Sequence, residues 1–320
     1  MRFLLFFLDG IGLGNNDTSI NPFAIASMPR LRSLLDGHRL TADIPFPLVS
    51  QNATLAALDA CLGVEGLPQS ATGQASLLTG KNVPALLGYH YGPKPNGEIA
   101  ACLSNNNLFI TLNKKGINVG FLNAYPQPYF DGIASGHRIP GAIAMAANQA
   151  DVHLMTADDL YNGDAISADL TGQGWREHLG YCDAPLLSPA QAGEQLARLS
   201  KRYEFSLFEY WLSDIAGHKQ DMQHACKLLE TLDQTIGGLS DAWDGKGLVI
   251  VVSDHGNLED LGTRRHTLNP VPLLLIGDAG LRRQFINNLG IQPPISYDLT
   301  NVYKMIVDAF TTTTSPEPMG

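Results

Sequence analysis

Cysteines are few in this chain, and no apolar run is long enough to cross a membrane. Cys61, Cys102, Cys182 and Cys226 lie far apart and form no CxxC pair. That pattern excludes a disulfide framework and reads as four reduced, mostly buried thiols. The opening apolar run, Phe3 to Leu8, stops at Asp9, and no small-residue cleavage site follows it. It is too short for a signal segment and far too short for a membrane span, so a buried first strand in a cytoplasmic protein is expected. Positive charge is also scarce: 21 Lys and Arg stand against 31 Asp and Glu, a formal net charge of −10. Binding to a phosphate backbone wants clustered Lys and Arg, so a nucleic-acid partner is not expected. A small phosphorylated substrate would meet the same repulsion unless bound cations supplied the local positive charge.

What the chain does have is an ordinary globular composition, 320 residues with 44% hydrophobic and 16% charged. A core of that size needs neither disulfides nor structural metals, so any metal site must serve something other than stability. Strand-like and helix-like segments alternate. Residues 2–8, 117–122, 205–212, 247–253 and 271–276 read as strands, and 22–36, 72–81, 104–116, 221–243 and 298–310 as helices. Between about 124 and 195 the pattern is rich in Gly, Ala, Asn and Asp, with one helix at 140–149. The expected architecture is an α/β three-layer α/β/α sandwich with a mostly parallel central sheet and a small inserted cap. Its catalytic core would be discontinuous, 1–123 and 196–320, with the cap at 124–195. The polar tail Thr311 to Gly320, with two prolines, is expected to be loose.

Polar residues gather where strands end. Asp9 closes the first strand, Asp254 and His255 follow 247–253, and Asp214 follows 205–212. Ligands of open α/β sheets bind beyond the carboxyl ends of the strands, so three strands would deliver these groups to one rim. Asp214 and His218 are spaced i, i+4, which sets both on one face of a helical turn. His266 opens a loop before the next strand. A mixed His and Asp set suits Mn²⁺ or Zn²⁺ better than Ca²⁺, which prefers oxygen alone. Ser70 precedes a helix expected to begin near Thr72, where the dipole and free N–H groups favour an anion. Metal coordination is one way to activate a serine hydroxyl. Taken singly, such an Asp is a turn residue, such a His a core or surface residue, and Ser70 a helix cap. The conjunction carries the argument. His38, His90, His137, His153, His178 and His224 have no comparable setting.

Three stretches resemble the alkaline phosphatase superfamily, most of all its branch of cofactor-independent phosphoglycerate mutase and phosphopentomutase. They are Leu8-Asp9-Gly10-Ile11-Gly12, then Pro68-Gln69-Ser70-Ala71-Thr72-Gly73-Gln74 running on to Lys81, then Ser253-Asp254-His255-Gly256-Asn257-Leu258-Glu259 with His266-Thr267-Leu268-Asn269-Pro270. Asp214-Ile215-Ala216-Gly217-His218 fits the family's remaining pair. The resemblance implies two divalent metal ions, one held by Asp214, His218 and His266, the other by Asp9, Asp254, His255 and the Ser70 oxygen. It implies a phosphohydrolase with Ser70 as nucleophile. The alternatives are a phosphodiesterase or nucleotide pyrophosphatase, a phosphomutase, or a decayed metal-binding protein without activity. Thr72 and Gln74 stand where sulfatases carry Pro and Arg, and the insert is small beside the second domain of the mutases. Arg138, His137, Lys94 and His90 are the candidate contacts for the rest of a substrate.

Overall fold

The computed structural model describes residues 1–289 and 297–312. Seven strands form one sheet: β1 (Arg2–Leu8), β2 (Leu48–Val49), β3 (Ala53–Leu58), β4 (Val119–Phe121), β5 (Phe205–Tyr210), β6 (Gly247–Ser253) and β7 (Val271–Gly277), in the order β2-β3-β7-β6-β1-β5-β4. The neighbours β6, β1, β5 and β4 are mutually parallel, whereas β7, β3 and β2 continue the sheet by antiparallel pairing. Both faces of β1 are buried. Phe3, Leu5 and Phe7 enter one apolar cluster, and Leu4, Phe6 and Leu8 enter the other. A strand apolar at every position is thus the mark of a sheet covered on both sides.

The helices Ser70–Thr79, Gly97–Asn105, Leu108–Lys114, Ala142–Gln149 and Thr300–Thr312 supply apolar side chains to the first layer. Pro29–Leu34, Pro189–Ser200 and Met222–Ala242 supply the second. There Gly193 faces the Thr235 carbonyl and Gly238 faces that of Ala190, so no side chain fits at either crossing. The result is the α/β/α sandwich the alternation of elements implied.

Three local readings change. The helix expected over 22–36 is two pieces, a 3-10 turn at Pro22–Ala24 and a helix at Pro29–Leu34. Pro29 has no N–H to give and turns Met28 away from helical geometry, at φ −124° and ψ 61°. β3 had no signal in the sequence: Ala53-Thr54-Leu55-Ala56-Ala57-Leu58 favours helix by composition, but lies buried between β2 and β7. The Ser70–Thr79 helix starts at Ser70 itself, with Gln69 as N-cap and Gly80 as a left-handed C-cap.

The stretch 124–195, expected as a cap, is shared out in space. Ala142–Gln149 packs beside the Ser70–Thr79 helix, and Pro189–Ser200 lies along Met222–Ala242. Between them Met155, Leu160, Ala165, Trp175 and Ala184 gather with Ala124 in a small cluster of their own. From 313 onward the expected loose tail lies outside the described residues. Among the described residues no helix is long and apolar enough to cross a membrane.

Candidate active site

Parallel register places the ligands. Leu8 pairs with Tyr210 on one side and with Ser253 on the other, so β1, β5 and β6 end level. Asp9, Asp254 and the helix Leu212–Lys219 therefore leave the sheet at one rim. The antiparallel half reaches that rim differently: the chain after β3 carries Ser70, and the loop entering β7 carries His266. Gly10, at φ +68°, packs on Asp214, and a side chain there would strike Asp214 Oδ1.

Two clusters form. Asp9, Asp254 and His255 make an inner group whose ligand atoms all lie within 4.8 Å of one another. His255 Nε2 is 3.3 Å from Asp9 Oδ1, 3.6 Å from Asp254 Oδ2 and 3.0 Å from Ser70 Oγ. The outer group is Asp214, His255 and His266, by the same 4.8 Å measure. His218 Nε2 approaches Asp214 Oδ2 at 3.3 Å, while His266 Nε2 stands 3.5 Å from Asp214 Oδ1. All seven residues singled out in the sequence thus meet in one place. One detail differs from the division the resemblance implies, because His255 belongs to both groups and its ring stacks on His266 at 3.7 Å between centroids.

Backbone carbonyls orient two of the imidazoles. His266 Nδ1 donates to the Pro68 carbonyl at 2.7 Å and His218 Nδ1 to that of Arg264 at 2.8 Å. A carbonyl can only accept, so each Nδ1 carries the proton and each Nε2 lone pair faces the site. Asp9 Oδ1 is buried without a hydrogen bond, faced by the His255 ring at 3.3 Å, and a buried carboxylate so placed suits a cation. The donor set, imidazole nitrogen with carboxylate oxygen, fits Mn²⁺ or Zn²⁺.

Charge balance points the same way. Burial, then the Asp254 charge, pushes Asp9 up to about 7. Burial pushes Asp254 up to about 6, aided by Asp214. For His255 burial pulls down, but Asp254 and Asp9 outweigh it and carry the group up to about 10. Burial and the His255 charge push His266 down to about 4. Without metal, one imidazolium proton at His255 answers a surplus of buried carboxylates.

Four residues of this site carried no role in the sequence reading. Gln74, one turn after Ser70, donates to Asp254 Oδ2 at 3.2 Å and Asp9 Oδ2 at 3.4 Å, holding the two carboxylates together. Its i+4 spacing from Ser70 was a visible signal. Asn257 Nδ2 donates to Asp214 Oδ1 at 2.6 Å. Glu259 is buried and accepts from Gly12 N at 2.9 Å, Asn257 N at 2.8 Å, Asn269 Nδ2 at 3.0 Å and Thr267 Oγ1. It thereby ties together the loops that bear Asp9, His255 and His266. Glu209, near the end of β5, is buried, and burial and the Asp9 charge push it up to about 7 against the pull of Lys94. Of the proposed substrate contacts, Lys94 faces Glu209 and Arg138 lies over the Tyr129 ring.

A family model described as the Metalloenzyme superfamily matches residues 184–312. Among curated relatives, the 2,3-bisphosphoglycerate-independent phosphoglycerate mutase of Desulforudis audaxviator is 33% identical over 102 residues, 30% of this chain and 20% of that one. The enzyme of the same name from Myxococcus xanthus is 39% identical over 85 residues, 24% of this chain and 17% of its own. The chain therefore spans a fifth or less of the length of these relatives. Among solved structures, alkaline phosphatase from the Antarctic bacterium TAB5 superposes with a TM-score of 0.52 at 13% identity, covering 97% of each chain. The fold is that of the alkaline phosphatases, and residues 184–312 match the metalloenzyme family model. Both of these curated relatives are named 2,3-bisphosphoglycerate-independent phosphoglycerate mutases.

Proposed function

We propose that the protein is a two-metal phosphohydrolase that moves a phosphoryl group from a phosphate monoester to Ser70 and then to water. The observation that carries this reading is the position of Ser70. Its Oγ lies 3.0 Å from His255 Nε2, at the first residue of a helix and beside both ligand groups.

Asp214, His218 and His266 would hold one ion, and Asp9, Asp254, His255 and Ser70 Oγ the other. When bound, the two ions, Mn²⁺ or Zn²⁺, supply Lewis-acid charge that stabilises attacking and leaving oxygens. The chain does the rest. The opening turn of the Ser70–Thr79 helix directs its dipole at the phosphoryl oxygens, the Thr72 N–H being taken by the Tyr91 carbonyl. Gln74 keeps Asp9 and Asp254 in register despite their mutual repulsion. Ser70 Oγ attacks phosphorus, the ester oxygen departs with a proton as the free alcohol, and water then releases phosphate from phosphoserine 70. Electrostatic stabilisation of the phosphoryl charge is the dominant contribution. In this reading the protein acts as a cytoplasmic enzyme on a small phosphorylated substrate.

The test is hydrolysis of p-nitrophenyl phosphate by chelator-treated protein reloaded with Mn²⁺, Zn²⁺ or Mg²⁺. Activity that returns with metal and is lost in Ser70→Ala supports the reading, and full activity in Ser70→Ala overturns the assignment of the nucleophile. A phosphomutase is the second reading, favoured by the names of the curated relatives. Phosphoserine 70 would then return its phosphoryl group to another hydroxyl of the same substrate, and an isomerised sugar phosphate or phosphoglycerate in the products would replace inorganic phosphate.

A further inference from the structure

The helix that carries Asp214 and His218, Leu212–Lys219, bears a second pair of side chains on its ligand face. Trp211 caps it in helical geometry, at φ −95° and ψ −5°, so the turn runs unbroken from Trp211 onward. At 3.6 residues per turn, positions 211, 214, 215 and 218 fall within an arc of about 100°. Ser213, Ala216 and Gly217, all buried, fall on the opposite side. Trp211 and Ile215 therefore flank the two ligands on the side away from the core, and each is 39% exposed. Neither joins the apolar clusters that hold the fold together. A single exposed apolar residue is ordinary. A tryptophan and an isoleucine one turn apart, on the face that presents two candidate metal ligands, are carbon surface that a molecule bound at those ligands would cover.

The geometry of phosphoryl transfer says which part of a substrate reaches them. Attacking and leaving oxygens stand roughly in line, so the leaving oxygen departs on the side away from Ser70. Ser70 Oγ lies at the closed end of the ligand set, 3.0 Å from His255 Nε2, where the Asp254 and His255 side chains have no exposed surface. From there the ligand rings run His255, His266, His218, with centroids 3.7 Å and then 5.2 Å apart. His218 marks the far end of that row, and its side chain is 44% exposed. Trp211 and Ile215 stand beside it, toward the N-terminal end of its helix. Charge lies the other way: Lys219 and Arg264 stand at the C-terminal end, with Arg264 Nε donating to Gln220 Oε1 at 2.9 Å. A leaving group turned toward the N-terminal end meets carbon, and one turned toward the C-terminal end meets cations.

We infer that Trp211 and Ile215 are the specificity-determining wall of a leaving-group subsite beside His218, one that takes the hydrocarbon body of an uncharged, apolar alcohol. The inference rests on the phosphohydrolase reading for its chemistry and on this helix face for its specificity. The experiment compares n-hexyl phosphate, ethyl phosphate and 3-phosphoglycerate as substrates of metal-loaded wild-type, Trp211→Ala, Ile215→Ser and Trp211→Phe protein. The hexyl and ethyl esters release alcohols of similar acidity, so a difference between them reports on the carbon chain and not on the bond broken. n-Hexyl phosphate is expected to exceed ethyl phosphate about tenfold in kcat/KM, since a one-sided wall covers only part of the added methylenes. Trp211→Ala and Ile215→Ser should each cut that margin through the KM of the hexyl ester, while Trp211→Phe keeps most of it. Equal turnover of the two alkyl esters overturns the inference, as does a margin that survives both substitutions or a loss of equal size on both esters. So does 3-phosphoglycerate as the best of the three with its advantage lost in Lys219→Ala, which would put the leaving group at the other end of the helix. Calorimetric binding of hexylphosphonate and ethylphosphonate, which have no ester bond to break, separates the subsite from the reading it rests on. If no ester is hydrolysed, the hydrolase reading falls. Hexylphosphonate that still binds more tightly than ethylphosphonate, and loses that margin in Trp211→Ala, then sustains the wall, while equal binding sinks it.

Discussion

The two ligand groups share a rim but not an environment. In the inner group Asp254 and His255 have no exposed side-chain surface and Asp9 has 11%. Gln74, Ser70 and the Ser70–Thr79 helix press against it, and Gly73 packs on the Asp254 backbone so closely that a side chain would not fit. In the outer group the His218 side chain is 44% exposed and Asp214 17%. The inner group is thus closed around the Ser70 hydroxyl, and the outer one has an open face, the difference that the proposed catalytic site would need.

Substitutions can break this division. The largest effect is expected for Ser70→Ala, a loss of about 10³-fold or more in kcat with both metals retained, read by turnover and by metal analysis. Asp254→Asn should come next. It removes a charge from the inner group, so the bound metal should fall toward one equivalent while the outer ion persists. His218→Ala should weaken only the outer ion, about tenfold or more, because its exposed ring is one ligand among several. Equal losses from these two variants would show that the groups load as one unit. Glu259→Gln should lower metal affinity about 10- to 100-fold with the circular dichroism spectrum intact, since an amide cannot accept all four donors.

The smallest effect concerns pH. Burial raises Glu209 from 4.5 to about 7, so its ionisation opposes the fold. For a raised carboxyl the neutral form is the one the folded state favours. The stability it gives is complete below the unfolded value and is lost as pH rises toward 7. Metal-free Glu209→Gln should therefore match wild type in stability near pH 4 and exceed it at pH 8, by about 3 kcal/mol at most, as read by denaturant unfolding. A gap that widened on acidification would refute the burial argument.

The chemistry of the rim was legible in the sequence because metal ligands must be His or Asp and because strand ends must hold them. What supports those ligands was not. Gln74 gave one signal, its i+4 spacing from Ser70, but it, Asn257 and Glu259 find partners across the fold that the sequence does not reveal. β3 stayed hidden for a similar reason: its alanines prefer helix, and only a place between two other strands overrides them. The helix over 22–36 failed on a local rule that was available, since Pro29 stands in its middle.

The placement of β1 has a consequence for how the molecule comes into being. The first strand of the chain is the fifth in the sheet, and its two neighbours, β5 and β6, begin at Phe205 and Gly247. During synthesis Asp9 is made well before its neighbours, and its strand stays unpaired on both edges until β5 and β6 arrive. Contacts so distant in sequence make assembly slow and leave an apolar strand open to wrong partners in the interval. No early intermediate can hold a metal through the inner group, because Asp254 and His255 do not yet exist beside Asp9. Closure of the inner group is thus a late event, and it reports that the central strand has been enclosed.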